Sequence, residues 1–463
     1  RPLVQAVRPG SDVYGFFMGS QAEGEKEKPK NVNPGRFTQA LERKVEIVRR
    51  YLDLKKLNRP LVILVQGAGD WVKKAYRPTF KELVDKGKGH EMSVIYADDT
   101  SWRRDGKPPC WTKKLCDWEV YLDKSDPEDL VRYRNILSRV DVVFIVTPDF
   151  THSELAKECL RRGVPTTLVE KPFDSHVENV ESLQKEMSLL YTIRAVLGLD
   201  HYMFYAYKVR DMMRQIEKHL GGALERVEFY MTEDRPIEYE RERSLQYGLM
   251  LDMLPHMFAL LTYFGDVSTV DDIRIIGAGQ YHPLISRDEK GEEHNEISSW
   301  YRNETYARVK FTFEDHSGRR VPCLGVIGKG MSKEVKYMEV FGVNGNALRI
   351  DLRKPDGGGY PYNHIFLLAD PNKPLPLGVQ TVQDPYNPSR TLHILSTPKE
   401  ELDRKRYKKL IEDFINGTDH VIISVLLLEE AYQIVKALDR IWWAIQEARE
   451  RWRDHDLGKL DPV

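Results

Sequence analysis

The sequence predicts an α/β protein in which a parallel, doubly wound sheet comes first and an α+β unit with a large, mostly antiparallel open sheet comes second. Three observations predict it. Short apolar runs at 61–65, 142–146 and 166–169 end in turn residues and are joined by helical stretches, as parallel strands with crossovers require. The second half carries alternating segments instead, at 227–230, 307–313 and 337–342, which suit a sheet with one covered face. At 463 residues the chain exceeds what one core ordinarily supports, so two domains are expected.

The first element runs from an apolar strand into Gly67-Ala68-Gly69 and then into a helix at Asp70-Trp71. Gly67 permits the tight turn, and Gly69 lets the backbone approach a pyrophosphate at the positive helix N-terminus, which reads as the start of a Rossmann dinucleotide-binding unit. Val72 stands where that fingerprint has a third glycine, so closer helix–strand packing is not expected. An acidic strand end comes next at Asp98-Asp99, 31 residues after Gly67. Asp98 can hold the ribose hydroxyls of NAD, whereas Arg103 and Arg104 can meet the 2′-phosphate of NADP. Both coenzymes stay open, with NAD favoured.

The next unit is a strand at 142–146 that turns at Thr147-Pro148, a helix over 153–163, and a strand at 166–169 that delivers Glu170-Lys171-Pro172. A lysine at the end of a buried strand, set by the rigid proline turn, is a candidate for chemistry. His152, five residues after Thr147, is expected to pin the loop beneath the coenzyme. A further apolar run at 195–199 leads into Asp200-His201-Tyr202, where His201 and Tyr202 either enter a substrate pocket or form a satisfied core network with Asp200.

Asp252 and His256 lie on an apolar segment, 248–264, that reads as a buried helix. A spacing of four puts both on one face. A carboxylate holding an imidazole fixes its tautomer and stabilises the imidazolium, so the pair describes a base for a hydroxyl proton. Pro255 is expected to start or kink this helix. Among candidates for substrate contact, Arg235 opens a run with Tyr239, Arg241 and Arg243 that would suit a phosphate or nucleotide.

The motifs Thr147-Pro148-Asp149-Phe150-Thr151-His152, Glu170-Lys171-Pro172 and Leu251-Asp252-Met253-Leu254-Pro255-His256, in that order, resemble the Gfo/Idh/MocA oxidoreductases over roughly residues 60–440. The resemblance implies an NAD(P)-dependent dehydrogenase or reductase of sugars or polyols. It implies Lys171, Asp252 and His256 as catalytic residues, with Lys171 beside the nicotinamide and the substrate. It further implies Gly67, Gly69, Asp70, Trp71, Asp98, Thr147, Pro148, His152 and Glu170 at the coenzyme. Some features are similar to the glucose-6-phosphate dehydrogenases: Gly69-Asp70 with Lys73-Lys74 and Pro78, and Asp200-His201-Tyr202. The Asp–His spacing of four is that of inositol dehydrogenases, and Met203-Phe204-Tyr205-Ala206 lacks the lysine that would read a sugar phosphate.

Composition bounds the rest. Lys plus Arg at 70 against Asp plus Glu at 71 gives a net charge of -1, which speaks against a nucleic-acid partner. Four scattered cysteines, Cys110, Cys116, Cys159 and Cys323, suit neither a disulfide framework nor a zinc site, so no metal is expected. No apolar run is long enough to span a membrane, and a cytoplasmic protein with a trimmed or processed N-terminus is expected. The domains are drawn as an arm and helix over 1–57, a dinucleotide-binding domain over 58–195, and a substrate-binding and oligomerisation domain over 196–463. A homodimer or homotetramer through the second sheet is expected, with a small carbohydrate-like substrate. Two alternatives stand: a non-catalytic coenzyme-sensing protein of the same fold, and a glycoside-cleaving enzyme that uses NAD transiently.

Overall fold

The computed structural model describes residues 61–67, 69, 71–85, 92–99, 117–123, 125–189, 195–200, 206–233, 249–279, 286–287, 293–294, 306–329, 331, 334–352, 364–368, 380–396, 406–416 and 425–452. The arm and helix expected over 1–57 lie outside the described residues, as do Asp70, Arg103, Arg104, Cys110, Cys116, His201, Tyr202, Arg235, Tyr239, Arg241 and Arg243.

The first sheet contains β1 (Leu61–Gln66), β2 (Met92–Asp99), β3 (Asp117–Leu122), β4 (Val142–Ile145), β5 (Thr166–Glu170) and β6 (Ala195–Leu199). They pair in parallel in the order β6-β5-β4-β1-β2-β3, the doubly wound arrangement in which a ligand crevice opens at the carboxyl ends of β1 and β4. Every residue of β4, β5 and β6 is buried, which is why these strands read as unbroken apolar or small-residue runs. Helices α1 (Arg77–Asp85), entered through a π-helical turn at Val72–Tyr76, α2 (Pro127–Leu137), α3 (His152–Arg162) and α4 (Val177–Leu189) make the crossovers. The side chain of Asp126 caps α2 by accepting from Glu128 N at 2.8 Å, with Pro127 in the first turn.

Helix α5 (Ala206–Leu220) then leads to the second sheet: β7 (Leu224–Thr232), helix α6 (Leu249–Leu261), β8 (Gly265–Gly279), the short pair β9 (Ser286–Arg287) and β10 (Glu293–His294), β11 (Tyr306–Asp315), β12 (Arg320–Gly328), β13 (Val335–Gly342), β14 (Ala347–Asp351), β15 (Ile365–Leu368), β16 (Thr381–Gln383) and β17 (Thr391–Ser396). Nine strands form the open sheet in the order β16-β17-β15-β14-β13-β7-β12-β11-β8, antiparallel throughout except for the parallel β7–β12 pair. Val227, Phe229 and Met231 of β7 face α5 and α6, and Tyr230 faces the opposite side with Tyr306, Leu324 and Tyr337. On that outer face the fully buried Arg349 binds Asp384 at 2.9 Å and so ties the segment before β17 to the sheet.

The C-terminal part of the chain departs from the domain boundaries expected at 195/196. β6 itself completes the parallel sheet, and β18 (Val425–Leu427) adds an antiparallel strand beside it. Helix α7 (Arg406–Asn416) inserts Ile411, Phe414 and Ile415 into the core that holds Phe144, and Lys408 pairs with Glu82 of α1. Helix α8 (Leu428–Trp452) joins both cores: Leu428, Ala431 and Val435 pack into the first lobe, and Ile434, Leu438, Ile441 and Ile445 into the second. The apolar stripe turns along the helix and so clamps the two lobes against each other. Among the described residues no helix is long and apolar enough to cross a membrane, and no group of His, Cys, Asp and Glu is arranged to hold a metal.

Candidate active site

The coenzyme side of the crevice is built where β1 stops. Gly67 has φ +105°, and a Cβ there would lie 2.5 Å from the carbonyl oxygen of Val146, so only glycine lets β1 turn this close to β4. Its N–H donates to Ala97 O at 2.7 Å, which brings the end of β2, and the half-buried Asp98, beside the loop. A Cβ on Gly69 would meet nothing within 4 Å, so open space lies against the backbone at the head of the helical turn, where Lys73 N donates to Gly69 O at 3.1 Å. That clearance beside a helix start fits the phosphates of a dinucleotide.

Glu170, at the end of β5, is buried and accepts from Trp71 Nε1 at 3.2 Å and Tyr76 OH at 3.3 Å. It therefore braces the turn that comes after the glycine loop. Burial, followed by Glu170, pushes the Tyr76 hydroxyl well above its ordinary pKa, so Tyr76 remains a donor. His152 sits between Thr147 O at 2.8 Å and Pro172 O at 2.9 Å, so it ties the turn after β4 to the turn that carries Lys171. The Thr147 and Thr151 hydroxyls lie 2.7 Å apart in the same turn, and Thr151 Oγ1 donates to Pro148 O at 2.7 Å. The Lys171–Pro172 peptide is cis.

Lys171 reaches from the first lobe to α6 of the second. Its Nζ donates to Asp252 Oδ1 and to the Asp252 carbonyl, both at 2.8 Å. The other carboxylate oxygen of Asp252 accepts from Lys329, just past β12. α6 begins at Leu249, so Pro255 lies inside it and does not start it, and a carbonyl of the preceding turn, that of Asp252, is bound by the lysine from the other lobe.

The expected Asp252–His256 pairing is corrected. The partner of His256 Nδ1 is Asp200, whose Oδ1 and Oδ2 lie at 2.6 and 2.8 Å, 56 residues away in the chain and just past β6. Asp252 instead spends its carboxylate on two ammonium groups, which attract it more strongly than a neutral ring does. Both Asp200 and His256 are buried. Burial, then the charge of Lys171, holds the His256 imidazole well below its ordinary pKa. A neutral ring that donates Nδ1–H to Asp200 has Nε2 as its basic nitrogen, the state required of a general base.

Around this centre Glu233, at the end of β7, pairs with Lys336 at 2.6 Å. Burial pushes the Glu233 carboxyl up, but Lys336 and then Lys329 outweigh it and hold it below the ordinary carboxylate range. The lobes thus meet in one cluster of titratable groups: Asp200, His256, Asp252, Lys329 and Lys336, which are buried, with the half-buried Lys171 and Glu233. Sequence reasoning passed over Lys329, Lys336 and Glu233, and the partners it offered Asp200 were its chain neighbours His201 and Tyr202, which lie outside the described residues. The signal was present for Lys329, which comes after the buried run 323–327 in Gly328-Lys329-Gly330 much as Lys171 comes after its own strand.

Residues 67–189 match the model of the oxidoreductase family with an NAD-binding Rossmann fold, GFO_IDH_MocA. The uncharacterized oxidoreductase YdgJ of Escherichia coli (strain K12) is 25% identical over 214 residues, 44% of this chain. The match spans 56% of that relative's length. Among solved structures the chain is similar to a glucose-6-phosphate dehydrogenase in complex with glucose-6-phosphate, at 15% identity and TM-score 0.57 over 87% of this chain and 94% of that one. It is also similar to KijD10, a 3-ketoreductase from Actinomadura kijaniata in complex with NADP and TDP-benzene, at 16% identity and TM-score 0.52 over 83% and 97%. The aldose-aldose oxidoreductase of Caulobacter crescentus aligns at 13% identity and TM-score 0.52 over 84% and 99%. These likenesses establish the two-lobed fold, a Rossmann domain followed by a large open sheet.

Proposed function

We propose, for a chain whose residues 67–189 belong to the Gfo/Idh/MocA oxidoreductase family, that it transfers hydride between NAD or NADP and a secondary hydroxyl, or the matching ketone, of a sugar, sugar derivative or polyol. One observation carries this: Lys171 from the Rossmann lobe bonds to Asp252, one helical turn from the buried His256 of the second lobe. The nicotinamide, when bound, supplies the hydride acceptor or donor. Gly67, Gly69 and Trp71 would hold the coenzyme near its phosphates, with Thr147, Pro148, His152 and Glu170 shaping the floor, and Asp98 supports NAD through the ribose hydroxyls.

The remaining chemistry belongs to the side chains. His256 Nε2 takes the hydroxyl proton, and the Asp200 carboxylate on Nδ1 stabilises the imidazolium so formed. Lys171 donates to the same oxygen and offsets the negative charge it develops. In the direction of reduction the same groups return the proton. The assembly that goes with this reading is a homodimer or homotetramer through the nine-stranded sheet.

The test is a titration of purified protein with NADH and NADPH, with a screen of D-glucose, D-glucose 6-phosphate and myo-inositol read by absorbance of the reduced nicotinamide. Saturable binding and steady net reduction of added coenzyme are expected. Lys171→Ala is expected to remove turnover and leave coenzyme affinity within about tenfold, roughly 1.4 kcal/mol. Loss of binding with intact turnover contradicts the assignment, and redox-neutral cleavage of a glycoside without net reduction would replace it.

A further inference from the structure

Lys329 has no part in the proton path above, yet it is buried at the centre of the site. It lies one residue past β12, is 6% exposed, and donates to Asp252 Oδ2 while Lys171 holds Oδ1. One carboxylate is thereby shared by ammonium groups from two lobes. The turn that carries Lys329 is itself braced: Glu233 N donates to Gly328 O at 2.8 Å, and Met331 N donates to Glu233 O at 2.9 Å. A Cβ at Gly328 would come within 2.9 Å of Met331 Cγ, so the turn is closed tightly on itself.

A lone Lys171–Asp252 pair would carry no net charge. With Lys329 added, the trio itself carries one positive charge more, one helical turn from His256, while the other charged groups around it are Asp200 on His256 and Glu233 and Glu334 on Lys336. Burying a third charged group has a desolvation cost, which a merely structural contact to Asp252 does not require, because a neutral donor would also fill Oδ2. A second positive charge on Asp252 does serve one purpose there: it offsets the carboxylate, so that Lys171 can stabilise a substrate oxygen as its proton leaves.

We propose that Lys329 is a positioning residue of the reaction: by occupying Oδ2 it aims Oδ1 of Asp252 at Lys171, and its positive charge offsets that of Asp252 and so keeps Lys171 effective toward the reacting oxygen. The proposal rests on the hydride-transfer reading. Its expected signature is a change in rate and in pH dependence with little change in substrate affinity.

The experiment compares the full chain with Lys329→Met, of similar length and uncharged, and with Lys329→Arg, which keeps the charge. The substrate is whichever of D-glucose, D-glucose 6-phosphate and myo-inositol the parent protein oxidises fastest, followed from acid to neutral pH. Lys329→Met is expected to lower kcat about tenfold or more and to leave KM within about threefold. The midpoint of the rise of rate with pH should move up by about one unit, because His256, the base, takes up its proton at a higher pH once a nearby positive charge is removed. Lys329→Arg should return the midpoint to that of the parent. NADH binding within about threefold of the parent, by fluorescence titration, confirms an intact fold. A Lys329→Met protein with the parent's kcat and midpoint overturns the proposal, as does a Lys329→Arg protein displaced as far as the methionine variant. Where Lys329→Met fails to bind NADH, the arginine variant decides, since a parental midpoint supports the charge role and a displaced one refutes it. A parent protein that oxidises none of the substrates refutes the hydride-transfer reading, and the role of Lys329 falls with it.

Discussion

Replacing Asp200 by Asn separates the catalytic partner that the fold provides from the one that helical spacing suggests. The carboxylate is 1% exposed and presents both oxygens to His256 Nδ1, at 2.6 and 2.8 Å. A hydrogen bond to a charged group in such a setting contributes about 1.5–3 kcal/mol, and here it counts fully only once the ring becomes cationic. At 1.36 kcal/mol per factor of ten, Asp200→Asn should lower kcat between about tenfold and about 150-fold. The amide can also turn its NH2 toward Nδ1, which favours the tautomer with its proton on Nε2 and removes the base, so the larger loss is the better expectation. KM should change little, because Asp200 lies behind the imidazole. The assay is steady-state oxidation followed by nicotinamide absorbance, with coenzyme titration to verify the fold. An Asp200→Asn protein with kcat within about twofold of the parent would refute the assignment of Asp200 as the group that orients His256.

Two further outcomes rest on the same geometry. Gly67→Ala places a Cβ 2.5 Å from the Val146 carbonyl at φ +105°, and should lower the melting temperature and weaken NADH binding by more than about tenfold, whereas Gly69→Ala, whose Cβ meets no protein atom, should keep the melting temperature and lose coenzyme affinity alone; equal losses of stability in the two variants would contradict this. His256 is held below its ordinary value of 6.5, so the unfolded chain takes up a proton at a pH where the native protein does not. Stability is then fully present above about pH 6.5 and declines as pH falls below it, and thermal unfolding of His256→Gln across that range should show a shallower decline than the parent.

Much of this molecule can be read from local patterns. The runs 61–65, 142–146, 166–169 and 195–199 announce the parallel strands, because residues buried on both faces must be apolar or small along their whole length, and the residues just past each run lie at the mouth of the crevice. Gly67, Lys171 and Asp200 were placed in this way, as strand ends. The spacing of Asp252 and His256 likewise set them on one turn of α6. By the same rule Lys329 was legible and was missed, since β12 belongs to a sheet whose alternating strands drew attention to faces and not to ends. Helix α8 and β18 were harder: the run 425–428 is equally apolar in a strand or a helix, and its pairing with β6 is a long-range contact that no local period records.

The sequence by itself determined that Gly67, Lys171 and Asp200 stand at strand ends, because periodicity and strand length are properties of neighbours along the chain. Which carboxylate holds which base was decided only by the folded arrangement. Asp200 and His256 are 56 residues apart and Lys171 and Asp252 are 81 apart, and each pair meets because β6, α6 and the Lys171 turn pack against one another. Two lysines converging on Asp252 leave Asp200 to take the imidazole, a competition among buried charges that is settled by distance in space and carries no signature in the spacing of four.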